Sequence, residues 1–290
     1  MGQVSFTTLT ELLLMTAEDV KALQAHLTDL QQQVEQTKLL LRQSDTLSLN
    51  SSLHNLVLLA DSALPLGSFA YSSGLESFLA HHKNHGNPIL LFDSFLRLSL
   101  QTIAYTNIPY MLACFRHPAL LAELDNDLDA STPCTVARRA SIAQGRALLS
   151  VWEKAFAASN RHDTSNVEMV LEVFAKDLKL SSISPELTTY GHLAPLWGVI
   201  TRSSGLSLEE AGYVFLLNHA KAVISAGVRA SVMGPYQAQT FLASQELQTL
   251  IKKCLEEVWT LQPEDAGQVV PVMDLWIGRH ELLYSRIFNS

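Results

Sequence analysis

Three histidines in one short segment, His81, His82 and His85, have the side chains and spacing most typical of a metal site. Positions 81 and 85 are four residues apart, so on a helix they would share one face, and imidazole binds zinc or nickel. No Cys, Asp or Glu completes the set of ligands. The segment is equally typical of a helix end, because Gly86 follows and imidazoles near a helix C-terminus interact favourably with the helix dipole. Both interpretations stay open.

The other histidines with apolar neighbours are His192, His219 and His280. Each fits either a buried or interfacial histidine or a general base, although no nucleophile is spaced to pair with one of them. An enzyme with an all-helical pocket around His192, Arg229 and His280 is therefore one alternative. The sequence contains no GxxxxGK[ST], HExxH, GxSxG or CxxC pattern. We therefore expect no catalytic site and no P-loop nucleotide site.

The end of the chain carries side chains that anchor protein interfaces. Tyr284, Arg286 and Phe288 lie close together there, and aromatic and arginine residues are enriched at interface centres. One interpretation is a partner-binding tail that becomes ordered when it docks. The other is a C-terminal helix whose apolar residues pack on the core, namely Leu282, Leu283 and Ile287.

A tight turn with two aromatic residues is predicted within residues 59–76. An apolar helix ends before Pro65 and Gly67, and a second helix resumes near Gly74. Phe69 and Tyr71 fall in the turn between these helices. They predict either a plug for the core or an exposed group for an interface.

Composition and charge exclude several classes of protein. The 290 residues are 48% hydrophobic and 17% charged, with a net charge of −8. We therefore expect a large core or buried subunit interfaces, and no nucleic-acid partner, which would need a basic surface. The 3 cysteines are far apart, which fits reduced thiols. An acidic run predicts a solvated loop; it consists of Glu123, Asp125, Asp127 and Asp129.

No apolar run is long enough to span a membrane, and the N-terminal residues lack the positive charge of a signal peptide. We therefore expect a cytoplasmic protein with no membrane contact. Helix signals dominate and no convincing strand is present, which predicts an all-α fold, a compact bundle of about eight to ten helices. Asn87-Pro88 and Ser207 with Glu210 are helix-start signals, as are Thr16–Asp19, Ser131–Pro133, Pro235 and Ser244. Pro109 is expected to bend or end the helix that begins at Pro88.

Residues 1–50 are predicted to form an appended N-terminal helix and a linker, followed by one helical domain at 51–290. The helix carries apolar residues at alternating steps of three and four, which is a heptad pattern. Thr37 interrupts this pattern after about two heptads, which is short for a coiled coil. The apolar positions are Val20, Leu23, Leu27, Leu30, Val34 and Leu41.

Three blocks of the sequence resemble the urease accessory protein F family. The first is SALPLGSFAYSSGLE at residues 62–76, and the last is HELLYSRIFNS at residues 280–290. Between them, residues 191–198, 225–229 and 234–239 form the middle block. The chain departs from the family pattern at Pro235, where a Gln is usual, and at Ala238, where a Gly is usual. Residues 1–50 have no counterpart in the family.

The resemblance implies an all-helical, non-catalytic protein that takes part in urease maturation. Members of the family pair with urease accessory protein D, also called H, and recruit accessory protein G, a nickel-binding GTPase. The assembly delivers nickel to apo-urease, so the resemblance implies no resident cofactor and nickel that passes through the complex. It also implies a homodimer. A direct nickel metallochaperone that uses His81, His82 and His85 is the second alternative.

The turn and the chain end are the segments that we expect to bind these partners. The candidate partner-binding residues are Phe69, Tyr71, Arg229, His280, Glu281, Tyr284, Arg286, Ile287, Phe288 and Ser290.

Overall fold

The structure, a computed structural model, describes residues 17–44, 51–82, 86–157, 166–181 and 189–289. The chain divides into two compact units, Met1–Asn50 and Ser51–Ser290. Twelve α-helices and no strand lie in the described ranges, which confirms the all-α class. Eleven of these helices belong to the second unit, slightly more than expected, because short helices such as the one at Leu75–His81 carry weak periodic patterns.

The helices are α1 (Ala17–Ser44), α2 (Ser51–Ala60), α3 (Leu75–His81), α4 (Pro88–Arg116), α5 (Leu121–Ser131), α6 (Thr135–Val151), α7 (Asn166–Ser181), α8 (Leu193–Ser203), α9 (Leu208–Arg229), α10 (Pro235–Ala243), α11 (Gln245–Val258) and α12 (Val272–Arg279).

Helix α4 is the central element of the second unit. Asn87 caps it, with its side-chain oxygen accepting the N–H of Ile89 at 2.9 Å. Pro109 lies inside α4, so the alternative in which it ends the helix is wrong. A proline cannot bond the carbonyl four residues before it. That carbonyl, on Tyr105, instead accepts the N–H of Gly267 at 3.2 Å, so the helix continues without an orphaned acceptor.

The core is built on close packing of helices around α4. Helices α8, α9 and α11 pack on α4, and α6 packs on α8. A Cβ at Gly198 of α8 would lie 2.3 Å from the Met111 carbonyl oxygen of α4, and one at Gly145 of α6 would lie 2.2 Å from the Gly191 oxygen. Glycine at these two positions therefore sets how closely α8 approaches its neighbours.

The acidic run is helical, which corrects the expectation of a solvated loop. It forms most of α5, where Glu123 and Asp127 are exposed while Asp125 and Asp129 are buried. Asp125 and Asp129 are one helical turn apart, so both face inward. The Asp125 carboxylate accepts three consecutive backbone N–H groups: that of Tyr190 at 2.7 Å, that of Gly191 at 3.0 Å and that of His192 at 2.6 Å. We call these contacts the Asp125 cap, because they satisfy backbone groups at the start of α8.

Several predicted helix starts are confirmed. Ser207 and Glu210 form a reciprocal capping box at the start of α9, with N···O distances of 3.2 and 2.7 Å. Pro235 begins α10, and Ser244 caps α11. Helix α6 begins at Thr135, close to the predicted start at 131–133, and continues into a π-helical turn at Trp152–Phe156.

The first unit contains the predicted helix, α1. The capping signal at residue 16 and the linker residues 45–50 lie outside the described residues. No helix in the described part of the chain is both long and apolar enough to cross a membrane. Cys114, Cys134 and Cys254 are free thiols.

Candidate functional site

The predicted turn lies between α2 and α3 and has the expected form. Gly67 has a φ of +72°, in the left-handed region that favours glycine, and a short 3-10 turn follows at Ser68–Ala70. Phe69 projects from this turn with 68% of its surface exposed, while Tyr71 is half-buried. Gly74, with a φ of +87°, is the N-cap residue of α3, and a Cβ there would lie 3.0 Å from Ile277. The chain at this point is thus fitted against α12.

The end of the chain lies against this turn and α3. After α12, a 3-10 turn at His280–Leu282 leads into residues 283–289. The carboxylate of Glu76 accepts the N–H groups of Ile287 at 2.8 Å and Phe288 at 3.3 Å. The N–H of Asn289 donates to the Ala70 carbonyl at 2.8 Å. Three backbone groups of the tail are therefore held by residues more than 200 positions earlier.

His280 connects the two ends of the tail. Its side chain is fully buried, and its Nε2 donates to the Phe288 carbonyl oxygen at 3.0 Å. Because a carbonyl oxygen can only accept, this contact places a proton on Nε2. The Nδ1 atom lies 3.7 Å from Glu76 Oε2. His280 thus lies between the tail backbone and the carboxylate that holds it.

Phe288 packs inward, which corrects the expectation that its ring awaits a partner pocket. Only 4% of its surface is exposed, and it belongs to the protein's own core. The Arg229 guanidinium lies over the ring at 4.3 Å from its centroid and also donates to the Phe69 carbonyl. Burial lowers the pKa of Arg229 from its usual value. We call Glu76, His280, Arg229 and Phe288 the tail anchor.

Most of the other tail side chains face outward: Tyr284, Arg286, Ile287 and Leu282 are exposed, whereas Leu283 is half-buried. The alternative in which Leu282, Leu283 and Ile287 pack on the core is therefore wrong for Leu282 and Ile287. Backbone hydrogen bonds to Glu76 and the buried Phe288 ring hold this segment.

Glu281 forms an ion pair with Arg139 of α6 at 2.6 Å. The hydrogen bond from Arg139 lowers the pKa of Glu281. Ser290 lies outside the described residues. Together with the tail anchor, this ion pair joins the chain end to α3, α6 and α9.

The histidines of the candidate metal site are bonded within α3. His81 Nδ1 donates to the Ser77 carbonyl at 2.7 Å and His82 Nδ1 to that of Phe78 at 2.8 Å. The His82 ring also stacks on Phe78 at a centroid distance of 4.2 Å. His85 lies outside the described residues, and the part of the chain that is described contains no group of three or more potential metal ligands from His, Cys, Asp and Glu.

The two histidines of the enzyme alternative have different surroundings. His192 bonds Ser141 at 3.0 Å and Asp129 at 3.1 Å, whereas His280 bonds the tail. Burial lowers the pKa of His192, against the opposing effect of Asp125 and Asp129. His192 thus belongs to the helix packing around the Asp125 cap, and the structure does not join it to His280 in one set of hydrogen bonds.

A cavity of about 300 Å³ lies beside the turn: Phe69 and Tyr71 are among its lining residues, together with Ser99, Thr102 and His219. Ser99 Oγ and His219 Nε2 are 2.7 Å apart, and burial lowers the pKa of His219 to about 4. His219 is therefore neutral at physiological pH. Among the described residues, neither His192 nor His280 lines this cavity.

Sequence reasoning missed the role of Glu76. It lies in the first family-like block, just after the glycine at which the second helix resumes. Nothing near it in the sequence indicates a partner, because the N–H groups that it accepts are 211 and 212 residues away. The one signal available was a carboxylate that directly follows a turn with two glycines.

Comparison with known proteins gives a consistent set of relatives. A family model described as UreF matches residues 92–246. A Schizosaccharomyces pombe protein named "Uncharacterized urease accessory protein UreF-like" is 37% identical over 237 residues, which cover 82% of this chain and 97% of the relative. "Urease accessory protein 6" of Cryptococcus neoformans is 29% identical over 84% of this chain and 99% of its own length.

A bacterial relative extends the set. "Urease accessory protein UreF" of Paenarthrobacter aurescens is 28% identical over 80% of this chain and 95% of its own length. The family model covers more than half of the 290 residues, and the fungal relative aligns over nearly its whole length. This chain therefore belongs to the UreF family of urease accessory proteins.

Proposed function

We propose that this chain is a non-catalytic scaffold for nickel insertion into urease. In this role it binds urease accessory protein D, also called H, and recruits accessory protein G, the nickel GTPase. Apo-urease receives the metal from the assembly, and nickel is the cargo of the complex, with no resident cofactor in this chain. Membership of the UreF family supports the role in urease maturation.

The observation that carries the proposal is the outward face of the anchored tail. Tyr284, Ile287 and Phe69 expose large apolar surfaces, and Arg286 adds a planar set of donors beside them. The tail anchor fixes the backbone beneath these side chains, so a partner that binds them orders little extra chain. We infer that accessory protein D binds this face, which we call the tail face: Phe69, Leu282, Tyr284, Arg286 and Ile287.

The division of roles within the tail refines the candidate residues. The tail is positioned on the second unit by Phe288, His280 and Arg229. The contacts with the partner are made by Tyr284, Arg286 and Ile287. Tyr71 is half-buried at the base of the turn, and Glu281 is paired with Arg139. We therefore assign positioning roles to Tyr71 and Glu281.

The test is co-purification of accessory protein D with the full chain and with Tyr284→Ala/Ile287→Ala. Both side chains are exposed, so the fold should be unaffected. Loss of interface anchors typically costs about 2 kcal/mol or more, which is at least about thirtyfold in affinity. The matched control is Tyr236→Ala/Leu90→Ala, which removes an equally exposed aromatic and aliphatic pair elsewhere on the second unit.

Affinity of the control should equal that of the wild type. Equal losses in both double variants, or no loss in the tail variant, would contradict binding through the tail face. Capture of accessory protein G in the same experiment tests recruitment separately. Recruitment that persists without accessory protein D would place the two partners on different surfaces.

A further inference from the structure

Helix α1 carries an apolar stripe whose residues are all exposed. Val20, Leu23, Leu27, Leu30 and Val34 have between 44% and 59% of their surface exposed. They follow steps of three, four, three and four residues, so they form one seam along the helix. From Val20 to Val34 this seam is roughly 21 Å long. Contiguous exposed apolar residues of this kind mark an interaction surface, unlike apolar residues that are scattered singly.

The residue types in the seam select a partner geometry. With Val20, Leu27 and Val34 at the first heptad position, Leu23 and Leu30 occupy the fourth. Valine at the first position and leucine at the fourth favour parallel coiled coils of two strands. Thr37 takes the next fourth position, and its hydroxyl donates to the Gln33 carbonyl at 2.7 Å. Covering Thr37 therefore leaves no hydroxyl unsatisfied.

The residues that flank the seam are compatible with a second copy of the same helix. In a parallel dimer, flanking residues of one helix meet flanking residues of the other. By heptad position the polar ones in α1 are Asp19, Gln24, His26, Gln31, Gln33 and Lys38. Asp19 and Lys38 carry a full charge, and the heptad pattern pairs them with Gln24 and Gln33 of the other helix, which are neutral. Two identical helices therefore meet without repulsion between like charges, and the mostly neutral flanks provide no charge pattern that would favour a different chain.

We propose that α1 pairs with α1 of a second copy of this chain in a parallel, two-stranded coiled coil. The seam is apolar over two heptads and has flanks that are compatible with themselves. This interface is separate from the tail face, and it lies outside the residues matched by the family model. It does not depend on the proposed role in urease maturation.

The experiment is disulfide crosslinking of the purified full chain under mild oxidation. Leu23→Cys and Leu30→Cys each place a thiol at a seam position, where two parallel helices hold identical residues side by side. Gln32→Cys is the matched control, since position 32 is exposed on the opposite side of α1. We expect at least about tenfold more crosslinked dimer in each seam variant than in the control, because only the seam brings the two sulfurs within disulfide range.

Each outcome decides the proposal. Crosslinking of both seam variants supports a parallel pair. Crosslinking of only one variant indicates an antiparallel pair and overturns the stated geometry. Yields equal to that of Gln32→Cys in both seam variants overturn the proposed parallel pair. In that case, the rate at which the seam thiols react with a maleimide shows which state is present. Slow reaction indicates a seam that is covered within one chain, and fast reaction indicates a seam that is exposed to solvent.

Discussion

Two carboxylates in this molecule accept consecutive backbone N–H groups, but their surroundings differ. Asp125 accepts three consecutive backbone N–H groups and is fully buried. Glu76 accepts two consecutive N–H groups of the tail, and 14% of its side chain is exposed. Each carboxylate also has a buried histidine nearby.

The difference lies in what each carboxylate holds. The Asp125 cap fixes the start of α8, which packs on the central helix α4. The tail anchor fixes a terminal segment whose outer side chains are exposed. The same interaction therefore serves the core at one site and presents a surface at the other. Removal of the first should affect the whole second unit, whereas removal of the second should affect the tail.

The largest effect is expected from Asp125→Ala. Three buried N–H groups would lose a charged acceptor, so we expect the free energy of unfolding to fall by about 4 kcal/mol. Chemical denaturation of the variant and the wild type measures this loss. Glu123→Ala is the control, because it removes an exposed carboxylate from the same helix. If both variants lose the same stability, the Asp125 cap is not a core interaction.

Phe288→Ala should have the second largest effect. It removes a buried ring from the core, for which a loss of about 3 kcal/mol is typical. Thermal unfolding measures the loss, and protease cleavage after Arg286 reports release of the tail. The neighbouring Ile287→Ala alters an exposed side chain and should leave the melting temperature unchanged. Equal melting temperatures for all three proteins would return Phe288 to the set of partner contacts.

Glu76→Gln should loosen the tail without unfolding the second unit. A hydrogen bond to a charged group contributes about 1.5 kcal/mol or more, so the amides of Ile287 and Phe288 should exchange with solvent about tenfold faster. Hydrogen exchange resolved at these amides is the measurement. Glu256→Gln, an exposed substitution on α11, provides the control. Faster exchange across α8 as well would remove the distinction between the two carboxylates.

Acid should weaken the Asp125 cap through His192. Because burial lowers the pKa of folded His192 below its usual 6.5, both states are neutral above that pH and the residue contributes no pH dependence. As the pH falls below 6.5, the unfolded state takes up the proton first and stability decreases until the folded pKa is passed. At pH 6 this loss is at most about 0.8 kcal/mol.

The measurement for His192 is the difference in unfolding free energy between pH 8 and pH 6. This difference should be smaller in His192→Gln than in the wild type. The comparison between the two pH values separates titration from the general destabilisation that the substitution brings. An unchanged difference would show that His192 does not contribute to acid sensitivity.

Local signals in the sequence were sufficient for much of the fold. Asn87-Pro88 and the Ser207–Glu210 pair mark helix starts because capping uses residues that are adjacent along the chain. The position of the turn at Phe69 was also predictable, since proline and glycine fix it locally, whereas the exposure of Phe69 was left open between two alternatives. Pro109 was misjudged because the donor that replaces its missing bond comes from Gly267, far along the chain.

The burial of Phe288 and Asp125 could not be read from the sequence. A lone aromatic near a chain end suits a core and an interface equally well, and the Arg229 that covers it is 59 residues earlier. Acidic residues at every second position resemble a solvated segment until helical geometry separates the inner pair from the outer pair. In both cases the deciding partners are brought together only by the folded helices.

Arg229 binds the turn and the tail with a single side chain. Its guanidinium donates to the Phe69 carbonyl and lies over the Phe288 ring. Displacement of either segment therefore removes a contact that holds Arg229 in place for the other. The two segments are therefore thermodynamically linked. A ligand that prefers the tail in place must, by reciprocity, favour the turn in place, and a competitor for the guanidinium would loosen both at once.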